Sequence, residues 1–552
     1  MMELLTAAQM RAIEHEAIES GEVTGLDLME RAGAGVVAAI FEEWPELERV
    51  GQEGGPEGGA APDPADPPRG ILGKMKALVL CGPGNNGGDG FVVARLLQAR
   101  GWQVDVFLYG NPIDLPPDAA ENYRRWAAVG EVRTWNDREI RDVYEEGDAT
   151  SRFLVVDALF GTGLTRPMPD DTAEMWRGFM PSPIVSDGRD PGGDRFVAID
   201  FPSGMCSDSG KDFGALPTHL TVTFHAAKIG HYMSQDCGSY GGSDNCGRLR
   251  VVDIGIKKTA AKGRVTLVEA GGVLGQTKRG GHKYNHGHAL VLSGGHGKTG
   301  AARLAARGAL RIGAGLVTLG SPRSAMFENA AQLTAIMLHQ IDGAHGVSEL
   351  LEDKRLNAVC LGPGLGRGMD TQAVVIAALK AQRATVLDAD ALTRFERNPQ
   401  VLFDLLHEQC VLTPHGGEFA KLFPDLAAKL AQRPQTGPAY SKVDATREAA
   451  ARAGCVVLFK GADTVIADPT GRCSVNSAQY DRAAPWLATA GAGDVLAGFI
   501  TGLLARGMSP KAAAEAGAWL HVECAREFGP GLISEDLPEQ LPAVLRRLER
   551  DG

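Results

Sequence analysis

The chain is expected to fold as two consecutive α/β units, the first a doubly wound sheet of roughly 250 residues. Three observations predict this. At 552 residues it is too long for one ordinary core. Short, continuous apolar runs alternate with helical segments along nearly all of it, the pattern of parallel strands covered on both faces. Glycine is abundant, 71 residues without a short repeat, as expected where tight strand-to-helix turns bring backbone close to a ligand or to another element.

In the first unit the expected strands are 76–81 (KALVLC), 103–108 (QVDVFL), 153–157 (FLVVD), 196–200 (FVAID), 220–225 (LTVTFH) and 249–254 (LRVVDI). Two stretches interrupt it, 50–70 and 180–194, both dominated by Gly, Pro and acids. Such composition cannot bury a core, so both are read as surface insertions. Lysine-rich residues 257–263 then lead to a second series, with strands at 288–293, 315–319, 357–361, 384–388, 410–413 and 456–460 and a long closing helix from about Gly493. The boundary is expected near 260–275, giving units of 1–260 and 270–552.

Composition narrows the function classes. A net charge of −12 argues against nucleic acid or an anionic membrane as the main partner, because phosphate contacts need a basic surface. The nine cysteines are scattered, with no C-x-x-C pair, and read as reduced thiols. No run of about 18 apolar residues spans a bilayer. The opening segment MMELLTAAQMRAIEHEAIES is acidic and amphipathic, unlike a secretory leader. A cytoplasmic protein is expected.

In open α/β sheets ligands gather outside the carboxyl ends of the strands. The first strand runs into GPGNNGGDG (82–90), whose Gly82, Gly84 and Gly87 have the dinucleotide spacing. A redox dinucleotide fold would also end its second strand on an acid, and here that strand ends FLYGNP. Asp89 would repel a pyrophosphate placed in this loop. Asn85 and Asn86 offer amide groups suited to a monovalent cation or a ligand hydroxyl. Asp157 and Asp200 end two further strands, followed by Gly161–Thr162–Gly163 and by Ser203. Either acid alone could be a helix cap; three polar, glycine-rich strand ends together point to a site.

These residues carry a resemblance. GPGNNGGDGFVVAR, DALFGTGL, AIDFPSG and the N-terminal LTAAQMRAIEHEAI…LMERAG resemble the NAD(P)H-hydrate epimerase family, Rossmann-like proteins that interconvert the R and S epimers of hydrated NADH and NADPH. The resemblance spans about residues 1–255. It implies that Asn85, Asn86, Gly87, Gly88 and Asp89 contact the hydrate, as do Gly161, Thr162, Gly163, Leu164, Thr165, Arg166 and Pro167. It also implies a potassium ion held by Asn86, Asp157 and Ser203, with Asp200 contacting substrate and moving the proton. A semi-buried carboxylate near the ring can supply about 10²–10⁴-fold. His225 and Ile229 depart from the family, whose corresponding segment has glycine and proline.

In the second unit GHGKT invites a P-loop reading, which fails because the position five residues before Gly297 is Leu292. His282, His286, His288 and His296 have no Cys or acid at ligand spacing, so no metal site is expected there. Thr299–Gly315 reads as a helix starting on small residues. The strongest signal is ATAGAGDVLAGFITGLLARG (488–507), where Gly491, Ala492 and Gly493 open a helix whose first turn carries Asp494. Unpaired N–H groups and the helix dipole there favour an anion. The carboxylate among them can take a proton from a hydroxyl while the donors stabilise a transferring phosphoryl group. The plainer reading is an aspartate capping its own helix.

With LGPGLGRG, LDADAL, LTPHGGEFAKLF and LFKGADTVIADPTG, this segment resembles the ribokinase-like fold and, within it, NAD(P)H-hydrate dehydratases, over about 275–545. The resemblance implies that Ala301, Gly366, His415 and Asp494 contact the hydrate. Lys460, Gly461, Ala462, Asp463, Thr464 and Gly493 would hold the adenine nucleotide. Ala492 stands where threonine is more usual, and a backbone role is expected for it. ADP with magnesium bridging its phosphates is the implied donor, giving AMP and phosphate, although the motifs alone do not separate ADP from ATP. A homo-oligomer acting on small molecules is expected. The alternative is a vitamin-precursor kinase fused to a silent binding module; TPHGGE and the retained Asn86, Asp157, Asp200 and Ser203 count against it.

Overall fold

The computed structural model describes residues 2–52, 75–145, 152–164, 166–170, 172, 193–215, 217–233, 245–257, 263–270, 278, 281–432 and 438–551. Most of the two expected insertions, Thr165 and much of the expected boundary lie outside the described residues. The chain divides into two compact units: 4–262 with 433–439, and 263–432 with 440–552 and residues 1–3.

The first unit is built on a seven-stranded, wholly parallel sheet. Its spatial order is Val132–Thr134, Gln103–Leu108, Met75–Cys81, Arg152–Ala158, Arg195–Ile199, Leu220–Phe224, Arg248–Val252. The central strand shows why its sequence is apolar throughout. Ala77, Val79 and Cys81 face one core with Val36, Ile40 and Phe91, whereas Leu78 and Leu80 face another with Ile140 and Val155. Each large apolar side chain so buried contributes about 1.5–3 kcal/mol. Val132–Thr134 was not expected; at three residues on the sheet's edge it is too short to leave a pattern.

The order reverses around Met75–Cys81, whose neighbours on either side come from Gln103–Leu108 and Arg152–Ala158. That switch point opens a crevice above the strand ends. Asn85–Asp89 do not form a loop there. The helix starts at Asn85, with Gly84 as its N-cap, and all five residues lie in its first turns. Gly82 makes this possible: a β-carbon on it would lie 1.7 Å from the Leu159 carbonyl oxygen.

The second unit has an eleven-stranded mixed sheet. Its order is Glu3–Leu4, Val265–Leu267, Cys473–Ser477, Asp463–Ala467, Val456–Phe459, Cys410–Leu412, Ala384–Leu387, Leu356–Leu361, His288–Leu292, Leu316–Pro322, Met337–Ile341. The antiparallel hairpin Asp463–Ala467/Cys473–Ser477 was not foreseen. Its polar residues are buried beneath the helix Pro510–Phe528: Ser474 bonds Glu515 and Asn476 bonds the Ala518 carbonyl. The expected single closing helix is instead three, Ala492–Ala505, Pro510–Phe528 and Asp536–Asp551. The first is buried on nearly every side, including against Gly300–Arg311. Among the described residues no helix is long and apolar enough to cross a membrane.

Candidate active sites

Above the switch point of the first unit lies a cleft of about 780 Å³ lined by Asn85, Asn86, Asp89, Gly161–Leu164, Arg166 and Asp200. Gly87, Gly88 and Pro167, expected to contact substrate, do not line it. Gly87 is pressed on Gly82 and Gly88 on Met29 and Ala119, so both serve close packing of the helix.

Asn86 bridges two loops. In the amide orientation that satisfies both ends, its nitrogen donates to the Ile199 carbonyl at 3.2 Å and its oxygen accepts from Gly161 N–H at 3.1 Å. Asp157 is buried, accepting from the Ser203 hydroxyl at 2.6 Å, Ser203 N–H at 2.7 Å and Leu159 N–H at 3.2 Å. Burial raises its carboxyl above the usual range despite these bonds. All its donors are neutral. The Asp157 carboxylate, the Ser203 hydroxyl and the Asn86 amide oxygen are oxygen groups of the kind a hard monovalent cation takes. Among the described residues no three His, Cys, Asp or Glu side chains converge on a metal position, so any cation here needs hydroxyl, amide or backbone oxygens.

Asp200 has a left-handed backbone, φ +64°, a conformation uncommon outside glycine and often kept where function demands it. Its Oδ1 accepts from Lys228 Nζ at 2.9 Å and the Thr223 hydroxyl at 2.7 Å. Lys228 is wholly buried, its other protons taken by Thr223 Oγ1 and the Phe224 and Ala226 carbonyls. Burial pushes the Asp200 carboxyl up, but Lys228 and Thr223 outweigh it and hold it below its usual value. His231, pushed down to about 3 by burial and Lys228, is neutral. Its Nδ1 accepts from Lys228 N–H, so Nε2 carries the proton and donates to the Asp200 carbonyl. His225, where the family segment departs, takes φ +62°.

Burial, then Asp200 and Glu14, raise Asp89 well above the carboxylate range. Burial and the neighbouring acids thus oppose ionisation of this cleft-lining carboxyl. Glu14, not foreseen, also lines the cleft. It could have been noticed: it sits on the same face of the helix Ala7–Glu19 as buried Met10 and Ile13, where a charge is out of place. Lys228 gave no such signal, since its partner is contributed by another strand.

In the second unit, Gly491 (φ +90°) caps the helix Ala492–Ala505 and Asp494 lies in its first turn, as expected. Asp388, at the end of Ala384–Leu387, accepts from Lys460 Nζ at 2.6 Å and from the Thr413 hydroxyl at 2.9 Å. Lys460 is also 3.7 Å from Glu418. Burial, then Asp388, push Asp494 up to about 7, against the pull of Lys460. Asp388, Asp390 and Glu418 stood in the quoted motifs without roles, and the strand-end rule applied to LDADAL would have found the first two.

His415 caps the helix Gly416–Leu422 and is exposed, its Nδ1 accepting from Gly417 N–H. Gly366 (φ +83°) donates its N–H to Asp390 and faces open space. Ala301 stands in the first turn of Gly300–Arg311 next to the Gly364 loop. Gly461 and Ala462 form the exposed turn after Lys460, closed by Thr464 Oγ1 donating to the Gly461 carbonyl. Asp463 does not point its carboxylate at a ligand: it is buried on Lys442 at 2.6 Å. Gly493 packs near Lys460 Nζ and Asp388.

Residues 25–230 match the family described as YjeF-related protein N-terminus, and 289–542 that of NAD(P)H-hydrate dehydratase. A bifunctional NAD(P)H-hydrate repair enzyme of Moorella thermoacetica is 34% identical, over 100% of this chain and 98% of that protein. The chain belongs to the bifunctional NAD(P)H-hydrate repair enzyme family. An NAD(P)H-hydrate epimerase of Rhodobacter capsulatus is 44% identical over 42% of the chain and 92% of its own length. Among solved structures, an ADP/ATP-dependent NAD(P)H-hydrate dehydratase of Bacillus subtilis co-crystallised with ATP and Mg²⁺ is 27% identical, covering 51% of the chain and 99% of that protein with a TM-score of 0.43. The repair-enzyme family thus spans both units, with its epimerase relatives on the first and its dehydratase match on the second.

Proposed function

We propose that residues 1–260 epimerise hydrated NADH and NADPH, and that residues 270–552 dehydrate the S form with ADP. The observation that carries this is Asp494: a carboxylate titrating near neutrality at a helix N-terminus, with Lys460 beside it to face phosphate.

In the first unit Asp200 is the charged group next to the ring, with Asn85 and Asn86 and the Gly161–Arg166 segment around the hydrate. Asn86, Asp157 and Ser203 would hold potassium, which supplies a fixed positive charge to the loops that shape the cleft. In the second, Asp494 accepts the proton of the ring hydroxyl as its oxygen attacks the terminal phosphoryl of ADP, and AMP leaves. The C–O bond then breaks with its electron pair on phosphate, and loss of a proton from the neighbouring carbon restores the ring double bond. Donors at Gly493 and along the Lys460–Thr464 turn stabilise the phosphates, while Ala301, Gly366 and His415 border the hydrate. Magnesium, when bound, would neutralise the diphosphate, held mainly by the phosphate oxygens, since among the described residues no three acidic side chains converge on a metal position. The net charge of −12 supports a cytoplasmic protein that binds neither nucleic acid nor an anionic membrane; a homo-oligomer is part of this reading.

The test is incubation of the protein with mixed R and S NADPH hydrate, ADP and potassium, following NADPH absorbance. Complete recovery is expected. Recovery of the S fraction alone removes the epimerase half, and no recovery with ADP or ATP overturns the whole. A stable phosphorylated product would instead support a kinase.

A further inference from the structure

Four carboxylates line the cleft of the first unit, Glu14, Asp89, Asp118 and Asp200, and three of them, Glu14, Asp89 and Asp200, act on one another electrostatically. They cannot all carry charge, since like charges in one partly desolvated site oppose each other's ionisation. The structure settles which one does. Only Asp200 is bonded to an ammonium group, that of Lys228. Asp89 lies within the helix Asn85–Gln98, where burial and the neighbouring acids oppose its ionisation. Glu14 is different from both. Its side chain is partly exposed to the cleft, and no hydrogen bond holds it among the described residues. Burial and Asp200 push it up to about 7, with Lys228 and Arg11 opposing. It can therefore both give and regain a proton at neutral pH.

We propose that Glu14 is a catalytic acid of the epimerase, working opposite Asp200. This rests on the epimerase reading above. Water adds to an enamine at the carbon next to nitrogen, so the hydrate's hydroxyl is on a carbon bonded to the ring nitrogen. Glu14 gives its proton to that hydroxyl. The C–O bond breaks, its electron pair leaving with water, and the nitrogen lone pair forms a C=N⁺ bond. The Asp200 carboxylate, already ionised, stabilises this cation. A water then adds to the other face of the carbon and passes its proton to Asp200. Proton exchange with solvent through the cleft resets both groups, and no oxidant or reductant is needed. In the reverse direction the two carboxylates exchange roles. The charged and titratable groups facing Glu14 in this cleft are Arg11 on its own helix, Asp89, Asp118, Arg166, Asp200 and, behind Asp200, Lys228.

The experiment uses the full chain and enantiomerically defined R hydrate without ADP, separating R from S by chromatography over time. Glu14→Gln is expected to lower kcat for epimerisation about 10²–10⁴-fold, with a much smaller change in KM. Glu14→Asp should recover a substantial part of the loss. In the wild type kcat/KM should fall as pH rises through about 7, and that limb should vanish in Glu14→Gln. Conversion of S hydrate with ADP by the same preparations reports the second unit. A Glu14→Gln protein within threefold of wild type, an unchanged pH profile, or loss of activity shared equally by Glu14→Asp overturns the assignment. If the wild type itself epimerises no faster than buffer, the epimerase reading falls and this one with it.

Discussion

Lys228 Nζ lies 2.9 Å from Asp200 Oδ1, and the lysine is completely buried while its partner opens onto the cleft. The ammonium thus favours the charged form of a carboxylate that lines the cleft. Removing it as Lys228→Met leaves Asp200 desolvated and unpaired, at a cost of about 3–5 kcal/mol. Asp200 then takes up a proton, because burial is no longer opposed. Calorimetry should show an earlier unfolding transition, and epimerisation should be lost at neutral pH. The native pair depresses the folded pKa, so its stabilisation is present above the unfolded carboxylate value and disappears as pH falls through the folded one.

Asp494 works with the opposite sign. Its folded pKa of about 7 is above the unfolded one, so the stability linked to it is full in acid and lost as pH rises through about 7. Asp494→Asn should abolish NADPH formation from S hydrate, leave epimerisation intact, and stabilise the protein above that pH. For the wild type, kcat/KM on S hydrate should rise with pH to a plateau with a midpoint near 7. A flat profile between pH 5 and pH 9 (about two units either side) would exclude Asp494 as the base.

Gly498 should matter although it touches no ligand. A β-carbon there would lie 2.1 Å from the Ala305 carbonyl, on the helix that carries Ala301. Gly498→Ala forces apart the two helices that bring Ala301 and Asp494 into the site. The expected result is a loss of about 1–3 kcal/mol, as for other overpacked cores, with a larger fall in dehydration than in epimerisation. Thermal unfolding and paired assays of the two steps measure it.

On the proposed potassium site, replacing the ion by a bulky organic cation should slow epimerisation and leave dehydration of S hydrate, a reaction of the second unit, unchanged. Asp157→Asn should weaken potassium binding about tenfold or more, equivalent to ~1.4 kcal/mol. Cation titrations of R-to-S conversion supply both numbers. Equal rates in the two salts would remove potassium from the Asn86, Asp157 and Ser203 loops.

The sequence by itself determined the two α/β units, because a strand buried on both faces must be apolar along its whole length, as in Met75–Cys81. It also led to the cleft of the first unit, since a parallel sheet gathers the segments after its strands at one end. GPGNNGGDG, DALFGTGL and AIDFPSG each continue from a strand of the first sheet, whereas GAGD opens the helix Ala492–Ala505. It did not reveal the short edge strand Val132–Thr134 or the antiparallel hairpin from Asp463, whose buried polar residues depend on a helix far along the chain. Nor did it reveal that Asn85–Asp89 begin a helix, which Gly82 permits only through its contact with Leu159.

The charge of each carboxylate was decided by tertiary structure alone. Asp89, Asp200, Glu14 and Asp494 are the same two residue types in the sequence. Folding desolvates all four, gives Asp200 an ammonium partner and leaves the others facing further acids. Proton affinity follows from burial and from charges across space, and neither can be read from neighbours along the chain.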